Sequence, residues 1–207
     1  NHFRNIGVKP YNDVTYIQEI PLEKIKINDA SLRIGNENFV YGKDFYTYPK
    51  FKNQKINARE LVFLGYGIHS DTYSDYIQDV SGKVIVISVG EPKKEDGSYI
   101  ISNSDKKSPH SGWRYKLSVA KKRGAKAVVF VSSDYNSEYI KSKHKIEEPG
   151  VNLISKSEQI PFLFVRKSVI KKVLGKNKFK KYLSQIQNNG NLKSKILKTD
   201  FLFKLST

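Results

Sequence analysis

The sequence predicts an α/β domain built on a mixed, partly curled β-sheet with flanking helices, and three observations point there. Two runs, VIVIS at 84–88 and AVVFVSS at 127–133, are apolar on both faces, as strands inside a doubly covered sheet are. Between them, GWRYKLSVAKKRGAK puts Trp113, Leu117 and Ala120 at i, i+4 and i+7, one helical stripe, with Gly124 as the stop. Strand, helix and strand at this spacing form a βαβ-like unit whose helix crosses over the sheet. Upstream, EKIKIN, SLRIG and NFVYG are short segments broken by Asn, Asp and Gly turn residues, the rhythm of successive strands.

Taken in order, residues 1–19 are polar and weakly patterned and read as a lead-in. EKIKIN alternates, with Ile25 and Ile27 on one face, as a half-buried strand does. ARELVFLGYGI (58–68) is a denser strand that ends on Gly65 and Gly67, where the chain can turn sharply at positive φ. Residues 91–111 are polar, with Pro, Gly and Ser, and predict a long loop. The helix at 113–123 and the strand at 127–133 follow, and a second polar stretch, 134–159, is expected to be another loop. A strand at 160–165 begins at Pro161, where no ladder N–H is needed. Helices are expected at 167–174, with Val169, Ile170 and Val173 apolar, and at 177–188, with Phe179, Leu183 and Ile186 on one stripe. The closing LKSKILKTDFLFKLST reads as one or two strands. Residues 1–57 are expected to be a lead-in and strands packed on the same body as a domain at 58–207. The expected core is Leu61, Val62, Val84, Val86, Leu117, Ala120, Val128, Phe130, Phe162 and Phe164.

Composition narrows the function. Hydrophobic residues at 38%, with 13 Tyr and 11 Phe, supply a real core and exclude a disordered chain. Residues 1–103 hold 13 Lys+Arg and 13 Asp+Glu, whereas 104–207 hold 24 and 7, so the net charge of +17 belongs to the C-terminal half. That pattern means a basic surface on one side rather than a uniformly basic protein. The absence of cysteine excludes disulfides, thiolate zinc sites and cysteine nucleophiles. No apolar run reaches membrane-spanning length. The chain opens at Asn1 and contains no Met, so it is expected to be a piece of a longer polypeptide.

Two fragments suggest zinc chemistry. His69-Ser70-Asp71 has the H-x-D spacing of several zinc hydrolases, and Glu147-Glu148 matches the paired glutamates of some zinc peptidases. A hydrolytic site needs about three ligands per metal, chiefly His and carboxylate. The four histidines, His2, His69, His110 and His144, form no H-E-x-x-H, and none follows Glu148. His69-Ser70-Asp71 therefore reads as a polar turn after a strand, and Glu147-Glu148 as solvated loop. No G-x-S-x-G elbow, P-loop or three-glycine dinucleotide motif is present. The expectation is no catalytic residue, no metal ligand and no cofactor in this chain. Whether the acidic run Asp71–Asp79 takes calcium stays open.

The order of motifs resembles a known family. ELVFLGYGI, a loop ending in SDY, VSGKVIVISVGEP, a long loop, YKLSVAKKRGAKAVVFVSS and IPFLFV are together similar to the protease-associated domain. The form inserted in bacterial zinc aminopeptidases of the transferrin-receptor-like family is the nearest. The resemblance is strong over about 58–170 and looser over FVYGKDFYTYP and FLFKLST. It implies a swivelling β/β/α fold and a noncatalytic lid or substrate-access module. It implies also a peptidase domain downstream, outside this chain, as partner and zinc holder, a peptide or protein substrate, and an extracellular, periplasmic or cell-surface location.

A different reading rests on RKSVIKKVLGKNKFKK (166–181), which holds 8 Lys+Arg and no acid. Lys171, Lys172, Lys176, Lys178, Lys180 and Lys181 are its candidate contacts for a polyanion, whether nucleic acid, anionic glycan or lipid headgroup. Phe179 and Tyr182 could stack on bases if exposed. The plainer alternative buries them in the core beneath a solvated lysine face, and nucleic acid is then not the expected partner. A third reading is an independent peptide-binding domain that uses the loops at 91–111 and 134–159.

Overall fold

The computed structural model describes residues 2–11, 14–154, 159–188 and 195–207. A one-turn helix α1 (His2–Asn5) leads to strands β1 (Leu22–Ile25), β2 (Asp29–Ile34), β3 (Glu37–Phe39), β4 (Phe45–Tyr46), β5 (Gln54–Phe63) and β6 (Val84–Ser88). Helix α2 (Trp113–Lys122), β7 (Ala127–Ser132), α3 (Tyr135–Glu147), β8 (Gly150–Leu153) and β9 (Phe162–Arg166) follow. Helices α4 (Lys167–Leu174) and α5 (Lys176–Asn188) and the long strand β10 (Lys195–Ser206) complete the order.

Eight strands form one mixed sheet in the order β3-β2-β10-β5-β6-β7-β9-β4. Its centre, β5-β6-β7-β9, is parallel, and the flanking pairs are antiparallel. The sheet is nearly closed. Phe45 on the last strand in this order stands edge-to-face with Phe203 on the third, 6.3 Å between ring centroids. Strand β10 is a single strand with an irregularity between Lys198 and Phe201, and it pairs with both β2 and β5. Over its described part the closing segment is thus one strand that bends, which is how an irregular ladder helps a sheet to curl; 192–194 lie outside the described residues.

Register fixes the faces. Val62, Ile85, Val128 and Phe162 stand side by side across the parallel strands, so Phe63 points to the opposite face. Trp113 of α2 packs on the first face, 5.1 Å from Phe162 and 5.7 Å from Phe164. Tyr135 and Tyr139 of α3 pack against Tyr46 there. Tyr182 of α5 meets Phe63 on the second face at 5.3 Å. Nine of the ten expected core residues are buried; Leu117 is only half-buried. The side chains of Leu183 and Ile186 lie outside the described residues.

One expectation is overturned. Residues 134–159 are not a loop: they carry α3 and then β8, with 155–158 outside the described residues. The helix keeps an apolar stripe of only Tyr135, Tyr139 and Ile146, with Tyr135 and Ile146 buried. Ten polar or exposed residues around that thin stripe concealed it. Strand β8 leaves the main sheet and pairs antiparallel with β1 as a two-stranded ribbon, Leu22 opposite Leu153 and Ile25 opposite Gly150. A Cβ at Gly150 would lie 2.7 Å from the Pro49 carbonyl oxygen, so only glycine lets the ribbon approach that backbone. The segment at 91–111 is a loop as expected up to a single 3-10 turn at Pro109–Ser111, cross-braced by bridges between Lys93 and Tyr99 and between Tyr99 and Ser104. Among the described residues no helix is long and apolar enough to cross a membrane.

Candidate functional site

Helices α4 and α5 share a division of labour. Val169, Ile170 and Leu174 of α4 and Phe179 and Tyr182 of α5 are buried, while Lys167, Lys171, Lys172, Lys176, Lys178, Lys180 and Lys181 are exposed. The two aromatic rings therefore belong to the core and offer no stacking platform. Lys172 pairs with Glu37 of β3 at 2.7 Å. Lys171, Lys176, Lys178, Lys180 and Lys181 form no ion pair among the described residues. Between β3 and α4 lies a shallow cleft of about 470 Å³, edged by Asn38, Ser168, Lys171, Lys172 and Lys176. Asp44 also lines it, with its carboxylate accepting the Val40 amide at 2.9 Å. The structure thus brings the lysines of α4 into one surface with β3 and continues it along α5.

The zinc-like fragments sit apart. His69 and Ser74 face each other across a tight antiparallel turn, with His69 Nδ1 3.0 Å from Ser74 Oγ. His69-Ser70-Asp71 is thus the polar turn that its residue types suggest. Glu147 closes α3, where Lys143 pairs with it and the Tyr139 hydroxyl donates to it; Glu148 is the cap residue that follows. Among the described residues no three His, Asp or Glu stand close enough to share a metal ion.

The most unusual chemistry lies at a residue that sequence reading passed over. Lys116 of α2 is fully buried. Its Nζ donates to the Ser88 carbonyl at 2.9 Å and to the Gly90 carbonyl, and lies 5.4 Å from the centre of the Tyr66 ring. A neutral amine has two N–H groups, and two carbonyls are there to take them. Burial pushes the ammonium down from 10.5 to about 7, against the pull of Asp75 and Glu91 and with Lys107 adding repulsion. Asp75, 2% exposed, accepts from the Ile68 amide at 3.0 Å and the Tyr73 hydroxyl at 2.8 Å. Burial raises its carboxyl to about 6 despite those bonds. Glu91 is fixed by the Ser108 amide and hydroxyl. The cluster staples three things together: the turn after β5, the long loop at 91–111, and α2. Nothing in the sequence singles Lys116 out, except that it lies three residues from Trp113 and four from Ala120, on the buried side.

A second concavity, about 500 Å³, opens where α2 begins and β8 passes. Tyr48 and Trp113 stack there, 5.9 Å apart and 13° from parallel, and the Arg114 guanidinium covers the indole at 4.4 Å. Lys50, Lys145 and Asn152 complete its rim. Rings with a cation over them suit a peptide or another protein surface.

No curated protein matches the chain. Among solved structures it is similar to the aminopeptidase from Aneurinibacillus sp. strain AM-1, with 16% sequence identity and a TM-score of 0.45. The likeness covers 91% of this chain and 34% of that one, so the chain spans about a third of that protein's length. A family model described as PA domain matches residues 49–173. That stretch contains the parallel β5-β6-β7-β9 centre, α2, α3 and all but the last residue of α4, and on this match the chain belongs to the PA domain family.

Proposed function

We propose that this PA domain is a noncatalytic module of a zinc-dependent aminopeptidase, a lid that governs access of peptide or protein substrate. Zinc and its ligands belong, in this reading, to a peptidase domain elsewhere in the same polypeptide, which is this domain's first partner. The polypeptide is exported to the periplasm, the cell surface or the medium.

The observation that carries the reading is the outward face of the β1–β8 ribbon. Leu22 opposes Leu153 and Lys24 opposes Val151, so these side chains share a face. Leu22, Val151 and Leu153 are 57%, 58% and 63% exposed, and Ile20 and Ile154, both just beyond the Leu22–Leu153 end, are 58% and 54% exposed. Burial of apolar surface is favourable by about 25 cal/mol per Å², and a contiguous row of large aliphatic side chains in water marks an interaction surface. The aromatic groove of Tyr48 and Trp113 borders the same strand, so a partner on the ribbon would overhang the groove. A lid needs such an arrangement: one face for docking and a neighbouring concavity for substrate.

Amide hydrogen exchange tests this. In the full polypeptide, Leu22–Ile25 and Gly150–Leu153 should exchange more slowly than in the 207-residue chain, and Leu153→Asp should abolish the difference. Equal exchange in both would overturn the docking assignment.

A further inference from the structure

We propose that the lysine face of α4 and α5 binds a linear polyanion of phosphate groups, read by charge alone. This is independent of the lid reading and uses the face of the sheet opposite α2 and α3. Lys167 and Lys171, and Lys176 and Lys180, are spaced i, i+4, and Lys178 and Lys181 i, i+3, so like charges stack along each helix, an arrangement that weakens a helix. Neither helix has an acidic residue in its first turn, and Lys167, Lys176 and Lys178 there oppose the helix dipole. Lys171 and Lys172 stand in the last turn of α4, where the dipole favours them, and Lys172 also pairs with Glu37; the first-turn lysines and the like-charge pairs bring folding no gain, and a bound anion relieves them. The backbone that presents the charges is held by buried Val169, Ile170, Leu174, Phe179 and Tyr182, so the lysine row is a fixed surface and not a loose tail.

The same burial selects the ligand. With Phe179 and Tyr182 in the core, no ring is offered to bases, which disfavours single-stranded nucleic acid. With the apolar stripe inside, nothing on this face inserts into a bilayer, which disfavours a membrane. The contacts are Lys rather than Arg, point charges suited to phosphate without a bidentate fork.

The test uses long-chain inorganic polyphosphate and the 207-residue chain. Binding should persist at ~0.15 M salt and weaken roughly 100-fold between 0.05 and 0.2 M, since each phosphate contact contributes about 0.7 to the logarithmic salt slope. The fourfold variant Lys171→Gln, Lys176→Gln, Lys178→Gln, Lys180→Gln should lose at least tenfold in affinity with an unchanged or higher Tm. A control on α3, Lys141→Gln, Lys143→Gln, Lys145→Gln, should bind as the parent does. No binding at ~0.15 M salt, or equal losses in the two variants, would overturn the proposal. So would an oligodeoxythymidylate of equal charge binding tenfold more tightly than polyphosphate. Binding to vesicles of one part phosphatidylglycerol to three of phosphatidylcholine, without binding to polyphosphate, would overturn it too.

Discussion

Replacing Lys116 by Met should remove a pH dependence of stability that the wild-type chain carries between pH 7 and 9. The folded ammonium titrates near 7 and the unfolded one near 10.5. Between those values the unfolded chain holds one more proton, so stability rises with pH, by about 1.4 kcal/mol per pH unit. Over pH 7 to 9 this amounts to roughly 2–3 kcal/mol from one side chain, or about 5–10 °C in Tm for a chain of this size. Asp75 works the other way at lower pH. Its folded value of about 6 stands above 3.8, so the folded state holds the extra proton there and stability falls as pH rises towards 6. The pair therefore produces a trough near pH 6–7. The groups facing Lys116 are Asp75, Glu91 and Lys107, with the Tyr66 ring beside it, and none is altered by the substitution. Met keeps the unbranched length and loses both bonds to Ser88 and Gly90, a loss of about 1–3 kcal/mol per carbonyl left unpaired that relief of the buried amine's desolvation offsets at pH 7. The informative quantity is the double difference. Urea unfolding followed by Trp113 fluorescence, at pH 7 and pH 9 for both proteins, should show the alkaline gain in the wild type and its absence in Lys116→Met. An equal gain in both would refute the assignment of the buried amine.

Two further substitutions probe the frame around that cluster. Gly67 has φ +62°, and a Cβ there would lie 2.7 Å from Ile87 Cγ2. Gly67→Ala should therefore cost about 1–3 kcal/mol in chemical denaturation. Phe164, 3% exposed, stacks on Phe130 and Tyr46 with ring centroids 5.0 Å away in each case. Phe164→Ala should cost about 3–5 kcal/mol by leaving a cavity between those rings.

Much of the fold was legible because its signal is local. VIVIS and AVVFVSS are apolar on both faces, and they are the buried β6 and β7. The lysine-rich helices were legible because Val169, Ile170 and Val173, and then Phe179, Leu183 and Ile186, keep helical spacing among charges. Helix α3 was not, because its face needs only Tyr135, Tyr139 and Ile146 to cover the sheet edge at Tyr46, and four lysines and histidines in one run masked that period. The β1–β8 ribbon was hidden for another reason: its partners are 125 positions or more apart, and pairing at such distance leaves no trace in either segment. Lys116 was illegible in principle from one sequence. Among 37 basic residues, what distinguishes it is the pair of carbonyls at the end of β6, and those are backbone groups that residue types do not reveal.

On the proposed reading, this domain assists hydrolysis performed by another domain of its polypeptide. The direct measurement is cleavage of an aminoacyl p-nitroanilide by the 207-residue chain in the presence of zinc, beside the full polypeptide under the same conditions. Release of nitroaniline by the full polypeptide alone is the expected result, whereas zinc-dependent turnover by the isolated chain, lost on replacing His69 or Glu147, would contradict the account.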